Sequence, residues 1–168
     1  MLNRDQIQYY LKCLEEELQA IGVKGEICLY GGAVMCLVYN ARPSTKDVDA
    51  VFEPARMIRN AARKVAETYD LEEDWLNDGV KGFVVAHPER VLFNWPNLKV
   101  YTAEPDYLLA MKSLASRVDA TDKQDILFLI KELKLKSAEE VLKIIEEYYP
   151  HNRIKPATQF FIEELFEP

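Results

Sequence analysis

Two stretches decide how this chain reads: Glu26-Ile27-Cys28-Leu29-Tyr30-Gly31-Gly32-Ala33 and, after a polar loop, Asp47-Val48-Asp49-Ala50-Val51-Phe52. The first is a short apolar run broken by two glycines and followed by further apolar residues, 33–39. It predicts a buried strand that turns at Gly31-Gly32 into a short apolar helix. The second begins by alternating acidic and apolar residues, the period-two sign of a strand. Side chains at i and i+2 of a strand leave the same face, so Asp47 and Asp49 are expected to project together while Val48 points the other way. Like charges that close repel, and the usual remedy is a hard divalent cation shared with water and phosphate oxygens. Glycines at a strand-to-helix turn let an anion approach the backbone and the free N–H groups of the helix start.

Upstream, residues 5–21 repeat apolar side chains at Ile7, Tyr10, Leu11, Leu14 and Leu18, which predicts a helix ended by Gly22 and Gly25. Between the two deciding stretches, residues 40–46 read as a polar loop containing Pro43. Downstream, Pro54 opens a helix that is expected to bury Met57, Ile58, Ala61, Ala62, Val65 and Tyr69. Three strands are then expected at 80–86, 90–95 and 98–102, punctuated by His87-Pro88 and Pro96-Asn97. From Glu104 the pattern is helical: 105–118, 122–133, a helix from Ser137 to Tyr148 and a last one over 156–166. Ser137 with Glu140 has the spacing of a capping box.

The expected fold class is therefore α+β (α/β in the broad sense), a small mixed sheet flanked by helices with a C-terminal helical extension. The core is expected over residues 1–103 and the extension, packed on it, over 104–168. A chain of 168 residues, 49% apolar and 29% charged, suits one domain with such an extension. A net charge of -7 argues against generic coating of nucleic acid. It leaves room for a local basic patch, or for a nucleotide whose charge is met by a metal. No apolar run approaches the roughly 20 residues of a membrane span. The start of the chain lacks the basic-then-apolar order of a signal peptide, so a cytoplasmic protein that does not engage membranes is expected. Cys13, Cys28 and Cys36 have no paired spacing and read as free thiols; His87 and His151 are isolated, which excludes a His-rich metal site.

The segment Leu29-Tyr30-Gly31-Gly32-Ala33 followed by Arg42-Pro43-Ser44-Thr45-Lys46-Asp47-Val48-Asp49-Ala50-Val51 resembles the signature of the nucleotidyltransferase superfamily. A second segment is Leu108-Leu109-Ala110-Met111-Lys112-Ser113-Leu114-Ala115-Ser116-Arg117, then Asp122-Lys123-Gln124-Asp125-Ile126. It is similar to the Lys-x-x-Ala-x-Arg…Asp-x-x-Asp stretch of the branch containing AbiEii-type abortive-infection toxins. The resemblance implies a nucleotidyltransferase fold and transfer of a nucleoside monophosphate from an NTP to a hydroxyl acceptor. It implies that Gly31 and Gly32 hold the triphosphate, with Arg42, Ser44, Thr45 and Lys46 of the preceding loop as further nucleotide-binding groups. Asp47 and Asp49 would ligate Mg²⁺ (or Mn²⁺), Lys112 would contact phosphates, and Asp125 would support the site. An RNA acceptor such as tRNA, a toxin or defence role, and a cognate antitoxin or a second copy as partner follow from the same kinship.

Plainer readings stand beside these. Lys112 could equally be a structural ion-pair partner of Asp122 or Asp125, and Arg117 a solvated side chain. Arg56, Arg59 and Arg63 form a stripe opposite the apolar face of their helix, either a track for an RNA backbone or the wet side of an amphipathic helix. Tyr148, Tyr149, Phe160, Phe161 and Phe166 read as core or dimer contact. Many members of the family that the chain resembles carry a third metal-binding carboxylate on a later central strand; here no acid stands in the core of the three later strands, Glu104 being nearest. That departure favours the alternative of a nucleotide- or metal-binding module without catalysis, or of a partner-binding protein.

Overall fold

The computed structural model of the chain describes residues 1–115 and 120–168. It is α+β, and the chain divides into two compact units, residues 1–84 with 89–103 and residues 85–88 with 104–168.

In the first unit the elements are β1 (Leu2–Asn3), α1 (Arg4–Ala20), β2 (Gly25–Tyr30), α2 (Gly31–Leu37), β3 (Ser44–Thr45), β4 (Val48–Glu53), α3 (Ala55–Tyr69), β5 (Leu76–Asn77), β6 (Glu89–Asn94) and β7 (Leu98–Ala103). Among the described residues they build a mixed sheet in the order β5-β4-β2-β7-β6 and a separate β1-β3 pair. β2 runs antiparallel to β4 and parallel to β7; β5 runs parallel to β4, and β6 antiparallel to β7.

Alternation sorts the sheet into two faces. Ile27 and Leu29 of β2 pair with Phe52 and Ala50 of β4 and with Val100 and Thr102 of β7, and all six are buried. α1 and α3 pack on each other and on this sheet. α1 starts with a reciprocal cap, Asn3 Oδ1 accepting from Gln6 N and Gln6 Oε1 accepting from Asn3 N, both at 2.9 Å. Its stripe of Ile7, Tyr10, Leu11, Leu14 and Leu18 is buried as its spacing requires. Buried Glu15 ties the helix to the turn before β7, its Oε2 accepting from Asn97 N at 2.9 Å.

Three expectations are corrected here. α3 buries Ile58, Ala61, Ala62, Val65 and Ala66, whereas Met57 and Tyr69 stand in its end turns and are 42% and 38% exposed. Tyr69 lies edge-on to Tyr9 at that rim and shares a 2.9 Å hydroxyl contact with it. Residues 80–86 form no strand. Lys81 N donates to Asp78 O, and Phe83 N and Val84 N both donate to Val80 O, so successive turns consume the backbone groups a ladder would need. The strand beside β4 is instead the short β5, which the apolar pattern did not announce.

The second unit contains α4 (Pro105–Leu114), α5 (Ala120–Glu132), α6 (Ala138–Tyr148), a 3-10 turn (His151–Arg153) and α7 (Pro156–Leu165), with α4 packed against the other three helices. Arg117 and the expected end of the 105–118 helix lie outside the described residues. Residues 85–88 join this unit through Val85 N, which donates to Tyr107 Oη at 3.1 Å, and through the His87 ring stacked 4.0 Å from Tyr107. Tyr107 and Tyr149 share a 2.8 Å hydroxyl contact, and Tyr148 donates to Asp106 Oδ2 at 2.6 Å. The capping box at Ser137 is half formed: Ser137 Oγ accepts from Glu140 N, but the Glu140 carboxylate turns to Lys136 N. Of the aromatic tail, Tyr149 is buried while Phe160 is 63% exposed. No helix among the described residues is long and apolar enough to cross a membrane. The three cysteines are free thiols, Cys28 and Cys36 buried; burial pushes the Cys28 thiol up to about 12.

Candidate active site

β4 buries Val48, Ala50 and Phe52 and leaves Asp49 half-buried on the other face. The antiparallel register sets Asp49 directly opposite Tyr30, the last residue of β2. The chain must therefore leave the sheet at Gly31, right beside the carboxylate. Gly31 turns with φ +63°, a left-handed conformation that glycine adopts without the penalty a side chain brings. A Cβ there would also lie 2.9 Å from Asp49 Oδ2. Both demands fall on one residue, and only glycine meets them without displacing the acid.

Gly32 is required for a different reason. A Cβ on it would stand 2.5 Å from Arg42 Nη1 and 2.6 Å from Thr45 Oγ1, so these two side chains close over its bare backbone. They are brought there by the N-terminal segment. β1 pairs with β3, Leu2 opposite Thr45 and Asn3 opposite Ser44, and Arg4 Nε donates to Leu37 O at the end of α2. Tyr30 supplies no side-chain cap to α2. Gly31, Gly32, Arg42, Thr45 and Asp49 thus form one neighbourhood, Ser44 being engaged in the β1 pairing and Lys46 exposed at the loop's end.

Asp47 stands one residue before β4 rather than within it. Its main-chain oxygen accepts from Thr45 Oγ1 at 3.4 Å, and its Oδ2 accepts from Asn77 Nδ2 at 3.2 Å. Burial holds the Asp47 carboxyl above the usual carboxylate range, and the nearby charge of Asp74 raises it further; Asn77 and Lys46 pull the other way. Asn77 is the Cα partner of Asp49 on β5. Neither Asn77 nor Asp74 was singled out in the sequence. The only trace of them is the acidic run Glu72-Glu73-Asp74 ahead of Trp75-Leu76-Asn77, which carries no sign of a parallel pairing with β4.

The segment bearing them is anchored to α3. Trp75 is buried and donates Nε1 to Ala62 O at 2.9 Å, and Val48 N donates to Trp75 O at 2.7 Å. Arg59 pairs with Asp78 at 2.8 Å and Arg63 with Glu73 at 3.0 Å. Two members of the arginine stripe therefore staple this loop.

Among the described residues of this unit, no His, Cys, Asp or Glu joins Asp47 and Asp49 in a trio with all ligand atoms within 4.8 Å of one another. Two carboxylates beside backbone that bears no Cβ are nevertheless a donor set suited to a hard divalent cation that brings phosphate oxygens of its own.

Lys112 and Asp125 belong to the second unit. Lys112 is 8% exposed and Asp125 2%, and Lys112 Nζ lies 2.7 Å from Asp125 Oδ2 and 3.5 Å from Asp122 Oδ1. α4 and α5 thus meet through a buried ion pair. Glu104, in this unit too, precedes α4 as its N-cap residue. No family model, curated protein or solved structure matches the chain.

Proposed function

We propose that this chain is a Mg²⁺-dependent nucleotidyltransferase that moves a nucleoside monophosphate from an NTP to a hydroxyl acceptor. The observation that carries the reading is the convergence on Gly31-Gly32: Asp49 Oδ2 lies 2.9 Å from where a Gly31 Cβ would stand, and Arg42 and Thr45 lie over Gly32. A glycine pair serving only as a turn needs no acid on one residue and no guanidinium on the next. Bound there, the cation supplies charge neutralisation for the triphosphate and a Lewis acid for the attacking hydroxyl. Asp47 and Asp49 would hold it. The bare backbone of Gly31-Gly32, with Arg42 and Thr45, would bind and orient the phosphates. The acceptor oxygen bonds to the α-phosphorus, the bond to the α–β bridging oxygen breaks, pyrophosphate leaves, and the hydroxyl proton passes to water. In-line transfer asks of the protein mainly positioning and charge.

RNA, such as a tRNA end, is the acceptor class we favour, in a toxin or defence role held in check by an antitoxin. That choice rests on the sequence resemblance alone. A second reading, a nucleotide-binding module without turnover, is favoured by the site having two acids and an amide where a third acid would serve. Incubation with Mg²⁺, each α-labelled NTP in turn and total cellular RNA or protein separates them. Label transferred by the wild type and lost in Asp47→Ala/Asp49→Ala supports the transferase. NTP binding with no label on any acceptor supports the module.

A further inference from the structure

The row of the sheet that ends in the acids reads, from the edge inward, Asn77 on β5, Asp49 on β4 and Tyr30 on β2. On the far flank β7 brings only Thr102 and Ala103 to this level, both buried. The third polar group of the row is thus an amide on the outer side of β4.

That amide is held in one orientation by three contacts. Nδ2 donates to Asp47 Oδ2 at 3.2 Å and to Asp74 O at 3.4 Å, while Oδ1 accepts from Gly79 N at 3.2 Å. Rotating it by half a turn would set its oxygen against a carboxylate and a carbonyl, and its NH₂ against an N–H. All three contacts therefore choose the same assignment. The loop that carries it is pinned by buried Trp75 and by the Arg59–Asp78 and Arg63–Glu73 pairs. An amide fixed by its own backbone and by a stapled loop is built to hold something still.

We infer that Asn77 is a positioning residue of the cation site: it fixes the Asp47 carboxylate through Oδ2 and leaves Oδ1 for a divalent cation. Among the described residues Asp47 Oδ1 has no hydrogen-bond partner. This rests on the reading above, in which Asp47 and Asp49 hold that cation. Groups that orient a metal's carboxylate or imidazole from behind affect binding without touching the ion, by about 10- to 100-fold when removed. Asn77 stands on the flank of β4 away from β7, and supplies orientation rather than charge.

The test is Mn²⁺ binding to the full chain, followed by loss of the free-ion electron paramagnetic resonance signal, with thermal unfolding run in parallel. Wild type is expected to bind and Asp49→Ala to lose binding. Asn77→Ala is expected to weaken Mn²⁺ by about tenfold or more. Ile145→Val, which thins the core of the second unit, is a control for mere destabilisation and should leave the affinity unchanged. An Asn77→Ala protein that binds Mn²⁺ as wild type does, while Asp49→Ala does not, overturns the role of Asn77 and keeps the cation site. Wild type that binds no Mn²⁺ removes the cation site itself, and this role with it.

Discussion

Two carboxylate clusters among the described residues sit in different surroundings. In the second unit Asp125 is buried against Lys112, so charge meets charge at 2.7 Å and the cluster is closed on itself. In the first unit Asp47 and Asp49 stand beside two glycines and an amide, and burial together with the neighbouring acid Asp74 lifts Asp47 above its ordinary range. One cluster is closed within a pair of helices. The other stands at a turn of bare backbone, with Arg42 in the same neighbourhood. Carboxylates of similar appearance in the sequence thus differ in what they ask of their surroundings, and that difference tells structure from candidate chemistry.

Ways to break this contrast can be ranked. The largest effect is expected on transfer: Asp49→Ala should abolish Mg²⁺-dependent label incorporation in a protein that still unfolds cooperatively, read by labelled-NTP assay and calorimetry together. Next comes the closed cluster. Asp125→Ala leaves the buried Lys112 charge with only the longer 3.5 Å contact to Asp122 and should cost up to about 3 kcal/mol in urea unfolding. Pairing Lys112→Met with Asp125→Leu should recover most of that loss, because both charges leave together. A paired variant that keeps its stability but loses transfer would bring the ion pair into the chemistry.

Gly31→Ala should follow, at about 1–3 kcal/mol, since it forces a side chain into a left-handed turn and onto Asp49. Gly32→Ala should be milder in stability, because the atoms it meets are ends of side chains. It should still weaken NTP binding by displacing Arg42 and Thr45, measured by titration calorimetry.

The smallest effect is the most diagnostic of an unmet charge. A carboxyl raised in the folded state binds more protons there than in the unfolded chain, so its ionisation lowers stability as pH rises above the ordinary value of 3.8. Asp47→Asn should therefore unfold slightly later than wild type at neutral pH without metal. Its advantage should vanish as pH falls below that ordinary value, and also when saturating Mg²⁺ stabilises wild type alone.

How far the site could be read from residues alone follows from what each element depends on. β2, β4, α1, α3 and the β6-β7 hairpin are announced by local period, and Gly31-Gly32 with Asp49 by the strand-turn pattern around them. β5 is only Leu76–Asn77, too short to show a period, and its parallel pairing with β4 is set by Trp75 burying itself against α3. The apolar run at 80–86 imitates a strand, but the turns after Asp78 and Val80 take its N–H groups first. Searching later strands for a third site residue looks to the β7 side of the sheet, whereas Asn77 arrives on the other. The arginine stripe of α3 could not be assigned from its spacing, because its partners Asp78 and Glu73 become neighbours only when the loop folds back.

The most direct measurement is a crystal structure of the chain with Mn²⁺ and a non-hydrolysable NTP analogue, the ion located by its anomalous signal. The expected result is manganese bound by Asp47 and Asp49, with the analogue's phosphates on the backbone of Gly31-Gly32 and within reach of Arg42. Manganese and analogue bound elsewhere, with the Asp47 and Asp49 carboxylates touching neither, would contradict the assignment of this turn as the catalytic centre.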